Sequence, residues 1–372
     1  MRLSRARFAS MAAAAASVAM LVACATMGTG SSDTGTPGPA QSSQNPPTEW
    51  AVKTQEHVDL WLHGFAMIQN DTTLVPFFRR GYQSDITDLK RRANVVTQLD
   101  ANLATLRNRF SMNRGLVNAQ FIPLYFGSLD ELVQAMDMFE RVDGDPRRAN
   151  NQEAASLIQL LAGYFPLPAD RDWARLFVQS IRDENTRFYR AYWDQQQRER
   201  ATVLAQVSDM WQNTYRPRFR NFLNNTSQAG GEILLSLPLD GEGRTLTAGK
   251  QQNATAVTFP MRPSESAEAI YVIAHELVGQ IVQTAVTDNV TPTDTRAGLT
   301  DRYVAVGAVR GGALLLQKVA PELVDGYARY YLRSAGRPVG TNATASLATA
   351  FALPDRIRDA IARQIEIVLG GI

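Results

Sequence analysis

Residues able to do acid–base or metal chemistry are sparse in this chain, which has three histidines and one cysteine in 372 residues. One stretch concentrates them. In YVIAHELVGQIV, residues 271–282, His275 and Glu276 stand side by side in a run whose apolar residues recur at helical spacing. Two imidazoles four places apart share one helical face and can grip a zinc ion, but the fourth place after His275 is Gly279. Gln280 lies about 100 degrees round the helix from that face. A metal here therefore needs ligands from elsewhere. The next glutamate is Glu322, and Asp288, Asp294 and Asp301 are the only acids between. Asp301, on the following helix, is the candidate substitute ligand. His57 and His63, six apart, sit on different faces of the first helix and cannot make a shared site alone. His63, within LWLHGFAMI, is the candidate to approach His275 through the fold, unless it is a core histidine; His57 is expected to face solvent. Zinc lowers the pKa of bound water to about 7 only when three protein ligands hold it and one position stays open. The cofactor expectation is accordingly no metal, with zinc as the alternative.

Other chemistry is weakly signalled. The serine-nucleophile pattern G-x-S-x-G and the phosphate loop G-x-x-x-x-G-K-[ST] are both absent. Arginines cluster at Arg79, Arg80, Arg91 and Arg92 and again from Arg187 to Arg220, the pattern of a solvated helix face paired with acids. Gly307, Gly311 and Gly312 interrupt a helical run, each costing about 1 kcal/mol against alanine, which points to close packing against the His275 helix. Contact of these glycines with Gly279 would explain why that position carries no side chain.

The N-terminus says where the protein works. Met1–Arg7 holds three arginines, an apolar run follows from Phe8 to Ala23, and small residues close it, as in a secretory signal peptide. The run is about sixteen residues, short of the roughly 20 that span hydrocarbon. Leu21, Val22, Ala23 and Cys24 resemble the bacterial lipobox, which implies a signal peptide over 1–23, acylation of Cys24 and a membrane partner. Several acyl chains on one residue give lasting attachment, each buried methylene adding about 0.8 kcal/mol. Ala25 after the cysteine implies, by the same resemblance, the outer membrane, with the protein facing the periplasm. The lone cysteine excludes an internal disulfide or cysteine-based metal site. Removing residues 1–23 takes away three of 38 basic residues and none of 36 acids, so the mature charge is 35 − 36 = −1. Nucleic acid thereby loses its electrostatic case as a partner.

Residues 24–48, rich in Gly, Ser, Thr and Pro, read as a flexible tether. Residues 49–372 read as one large domain of α+β class, mainly helical. Its 49–227 half carries apolar stripes at three and four spacing, with Ser128 and Glu131 as a capping box, Pro168 opening a long amphipathic stretch and Pro217 breaking or kinking it. From Gly230 to Pro260, β-branched runs and a Gly-rich turn predict a small sheet of two or three strands. Helices return over 264–286, 294–319, 321–332 and 345–369.

The order of helical half, small sheet, strand, His-Glu helix and second long helix resembles gluzincin-type zinc peptidases over residues 230–320. That resemblance implies that His275 matches the first zinc ligand and Glu276 the carboxylate that takes a proton from zinc-bound water. It also implies an edge strand lining a cleft, placed at Thr255–Pro260, beside which an extended peptide could add as a further strand. Because the motif lacks its second histidine, the expected function is a lipid-anchored envelope protein whose zincin-like domain binds without catalysing. The alternatives are a non-enzymatic helical scaffold that holds an envelope partner through its surface, and an active zinc metallopeptidase.

Overall fold

The computed structural model describes residues 49–70, 73–248 and 250–370; the signal segment, Cys24 and the tether lie outside the described residues. Its centre is a four-stranded sheet in the order β1 (Ala51–Lys53), β2 (Gly231–Ser236), β4 (Asn253–Thr258), β3 (Arg244–Thr247). β1, β2 and β4 run parallel, and β3 is antiparallel to β4 at one edge. β4 is buried along its whole length, the near-continuous pattern of a parallel strand covered on both faces. Successive side chains of β2 divide between two cores: Ile233 and Leu235 join one, and Leu234 joins the other with Ala254 and Ala256.

Helices cover both faces. On one lies α1 (Glu56–Ile68), buried from His57 to Ile68, with α2 (Tyr82–Arg92), α3 (Gln98–Met112) and α4 (Pro168–Glu184) around it. The other face carries α5 (Ala267–Leu277), α6 (Gly279–Asn289), α7 (Thr300–Val319), α8 (Val324–Ser334) and α9 (Asp355–Val368). α7 packs against α5, α6 and α9 and so forms the spine of that core. Residues 203–223 also join this second core, as does Trp50, whose ring meets Trp211 edge-on and whose indole N–H donates to the Gln228 carbonyl at 2.9 Å. The α+β, mainly helical class therefore holds.

Several expectations need correction. β1 arises from a segment expected to be helical, because its only partner, β2, lies some 180 residues away and no local pattern announces it. β4 is no edge strand: β2 and β3 occupy its two sides, so a peptide cannot add alongside Thr255–Pro260. Pro217 opens the helix Arg216–Asn225 after a π-helical turn at Met210–Tyr215 and does not end a structure. The expected 264–286 helix bends by 41° at the junction of α5 and α6. Gly298, at φ +67°, separates a short helix at Pro292–Arg296 from α7. Among the described residues no single helix is long and apolar enough to cross a membrane; the bent pair 263–289 passes only when its two parts are joined, and most of its apolar side chains lie in the core.

Candidate functional site

The end of α5 and the β2–β3 connection build the site together. That connection reads Asp240-Gly241-Glu242-Gly243, and both glycines are dictated by proximity: a Cβ on Gly243 would sit 2.6 Å from the Glu276 side chain, and one on Gly241 would sit 2.6 Å from Val75. Tyr331 of α8 donates its hydroxyl to the Gly241 carbonyl at 3.0 Å and stacks on the His275 ring, centroids 5.3 Å apart and planes 20° apart. Neighbouring Asp240 accepts from the Tyr330 hydroxyl at 3.1 Å, and its burial pushes the carboxyl pKa up. The acids of the loop are thus pressed down onto α5 and α8.

Glu276 is held by three donors. Its Oε1 accepts from the Gly243 backbone N–H at 2.9 Å and lies 3.1 Å from His275 Nδ1; its Oε2 accepts from the Thr245 hydroxyl at 2.8 Å. Burial alone would raise the Glu276 pKa, but the bonds from His275 and Thr245 outweigh it and hold the carboxyl below its ordinary 4.5. An ionised carboxylate only accepts, so Nδ1 carries a proton and the lone pair of the neutral ring sits on Nε2. His275 is 2% exposed, and Nε2 has no hydrogen-bond partner; it faces Glu242 Oε1 at 3.8 Å. Burial would lower the His275 pKa, yet Glu242 and Glu276 together lift it above its ordinary 6.5. Arg244 is drawn to one side, bonding Gln120 and the Gly243 carbonyl with its guanidinium over the Phe77 ring.

These residues form the floor of a groove of about 330 Å3, whose walls include Val75, Phe77, Val304 and Ala308. Asp301 lines the same groove from the first turn of α7 but is not in the tight cluster: among the described residues, Glu242, His275 and Glu276 are the one group of three such side chains whose ligand atoms all lie within 4.8 Å of one another. Gly279 also lines it, and a Cβ there would meet nothing within 4 Å. The expected contact between Gly279 and the α7 glycines is therefore absent. Gly307 and Gly311 pack instead on Val282 and Val278, where added Cβ atoms would come within 2.7 and 3.0 Å of Val282.

The sequence missed Glu242 as a participant. It lies in a turn without periodicity, and its only signal was an acid enclosed by two glycines in DGEG. His63 does not reach His275. It is fully buried in the other core, with Nδ1 3.0 Å from the Tyr82 hydroxyl and Nε2 3.1 Å from Glu184, which also pairs with Lys90 at 2.8 Å. That buried cation and the Thr97 hydroxyl account for Glu184, so the cluster braces α1 and α2 against α4. Burial would raise Glu184, but His63 and Lys90 prevail and bring it down to about 2. His57 is likewise buried, bonded to the Phe126 carbonyl at 3.0 Å, and does not face solvent.

The donor set of a peptidase zinc centre is not met by His275, position 279 and Asp301. Glu276, moreover, spends three of its roughly four acceptor positions on the fold. No protein-family model, no curated protein and no solved structure matches the chain.

Proposed function

We propose that the chain is a lipid-anchored envelope protein that uses the zincin-like groove beside His275 to hold a peptide segment of a partner without hydrolysing it. The observation that carries this reading is the commitment of Glu276. A general base must present a free lone pair to the water it activates, whereas three of the roughly four acceptor positions of this carboxylate are taken, by Gly243, Thr245 and His275. With position 279 lacking a side chain, the three-ligand set that makes hydroxide near neutrality is missing. What stays is a groove with apolar walls and a polar floor, the usual make-up of a binding site. Binding within the groove replaces strand addition at β4, whose two sides are taken.

Selection of a displayed peptide library on the full chain in detergent tests the proposal. Peptides enriched on the native protein should be lost on Ala305→Trp, which puts an indole into the groove from the exposed wall of α7. Enrichment that is equal on both proteins, or absent from both, refutes binding in the groove.

A further inference from the structure

One polar atom in the groove is left without a bond by an otherwise satisfied site. Nε2 of His275 is buried and unpartnered, although Nδ1 of the same ring is fixed by Glu276. Leaving such an acceptor buried and unmet is unfavourable, and a carboxylate stands opposite it at a spacing that suits no hydrogen bond. The 3.8 Å between Nε2 and Glu242 Oε1 is longer than a hydrogen bond. It is close to the spacing of two ligand atoms that share one ion, since bonds of about 2.0–2.2 Å at a tetrahedral angle place them roughly 3.4 Å apart. Glu276 then occupies the outer position common around metal-bound histidines, a carboxylate on the far ring nitrogen that sets the tautomer and the ring plane.

We propose that His275 Nε2 and Glu242 bind a divalent transition-metal ion of the zinc and manganese class, with Glu276 as the positioning residue that orients the ring. The pairing of one imidazole with carboxylate oxygen favours these ions over calcium, which takes oxygen alone. Two protein ligands leave the remaining coordination positions open to water or to a carboxylate or carbonyl of whatever lies in the groove. Asp301, in the same groove but outside the cluster, borders those positions. The ligand set differs from the one expected from sequence: Glu242 comes from the β2–β3 loop, and Glu276 orients in place of acting as base. The inference rests on the groove being a binding site, and it adds an ion that would draw an anionic group of the partner.

The test uses the full chain in detergent, stripped with a chelator, dialysed and titrated calorimetrically with Zn2+ and separately with Mn2+. One ion per chain is expected, with affinity weakened at least about tenfold in Glu242→Gln and in His275→Gln and unchanged in Asp325→Asn, a control on the exposed face of α8. Glu242 makes the safer variant, because its side chain is 18% exposed and its substitution keeps the shape. A native chain that binds no ion at millimolar concentration, or one whose binding survives in both variants, overturns the inference. Peptide enrichment on an ion-free chain that binds no metal would sink this inference and leave the groove reading intact. Metal binding without any peptide enrichment would do the reverse.

Discussion

Replacing Glu276 by glutamine separates a carboxylate that serves the fold from one that serves chemistry. The substitution keeps the size of the side chain and removes its charge. A carbonyl at Oε1 can still accept from the Gly243 N–H, and the Thr245 hydroxyl can rotate to accept from the new amide. What is lost is the charge-assisted character of these bonds and the attraction of the His275 ring. Hydrogen bonds to a charged partner are worth about 1.5–3 kcal/mol each against about 1 for neutral ones. Across the two surviving bonds and the weakened third, the loss is about 2–3 kcal/mol. For a domain of this size each kcal/mol moves the melting point by roughly 2–4 °C, so Glu276→Gln should melt about 4–12 °C below the native chain. Thermal unfolding followed by far-ultraviolet circular dichroism at pH 7 reads this directly. The pH dependence carries a sign as well. Glu276, with its pKa depressed, contributes stability above pH 4.5 that is lost as the pH falls through its folded value. His275, with its pKa raised, contributes fully below pH 6.5 and loses its share as the pH rises through its folded value. The stability gap between native and variant should therefore be widest between those two pH values. A variant that melts with the native chain or above it, as when a strained catalytic group is relieved, would refute the reasoning.

Further outcomes follow from the structure and, for Cys24, from the sequence. Glu184→Gln leaves the buried Lys90 with Asp100, 2.7 Å away, as its remaining carboxylate and should cost about 1–3 kcal/mol in urea unfolding; an unchanged midpoint would contradict the account of that cluster. The native contribution of Glu184 should fade only as the pH drops from 4.5 through about 2. Gly279→Ala enters open space and should leave the melting point unchanged or slightly higher, whereas Gly307→Ala, which meets Val282, should cost about 1–3 kcal/mol. Equal effects would sink the distinction drawn between these glycines. Cys24→Ser should abolish acylation and change membrane partition, and normal partition of that variant would contradict the lipoprotein reading.

The helical class was legible because local signals carry it. At Ser128 the predicted N-cap forms, with the serine hydroxyl accepting from the Glu131 N–H at 3.2 Å, but the glutamate bonds the Gly127 N–H at 2.8 Å and not the Ser128 N–H that completes a capping box. Pro168 opens α4 as expected. The close approach announced by the α7 glycines also exists and is made against the expected 264–286 segment, at Val278, Val282 and the His275 backbone, although Gly279 takes no part in it. What stayed hidden is long-range: three-residue β1 pairs with a strand 180 residues on, and the bracing of His63 joins residues from three helices. Glu242 was invisible for a related reason. Its place opposite His275 is set by a loop whose glycines let it lie flat against α5, and nothing in the residues around His275 points to residue 242.

Peptide cleavage measured by mass spectrometry, with the full chain in detergent and zinc present at a small excess, tests the central claim most directly. The account predicts that a complex peptide mixture stays intact over hours, with identical spectra for the native chain and Glu276→Gln. New fragments made by the native chain and missing with Glu276→Gln would show that this carboxylate does chemistry after all.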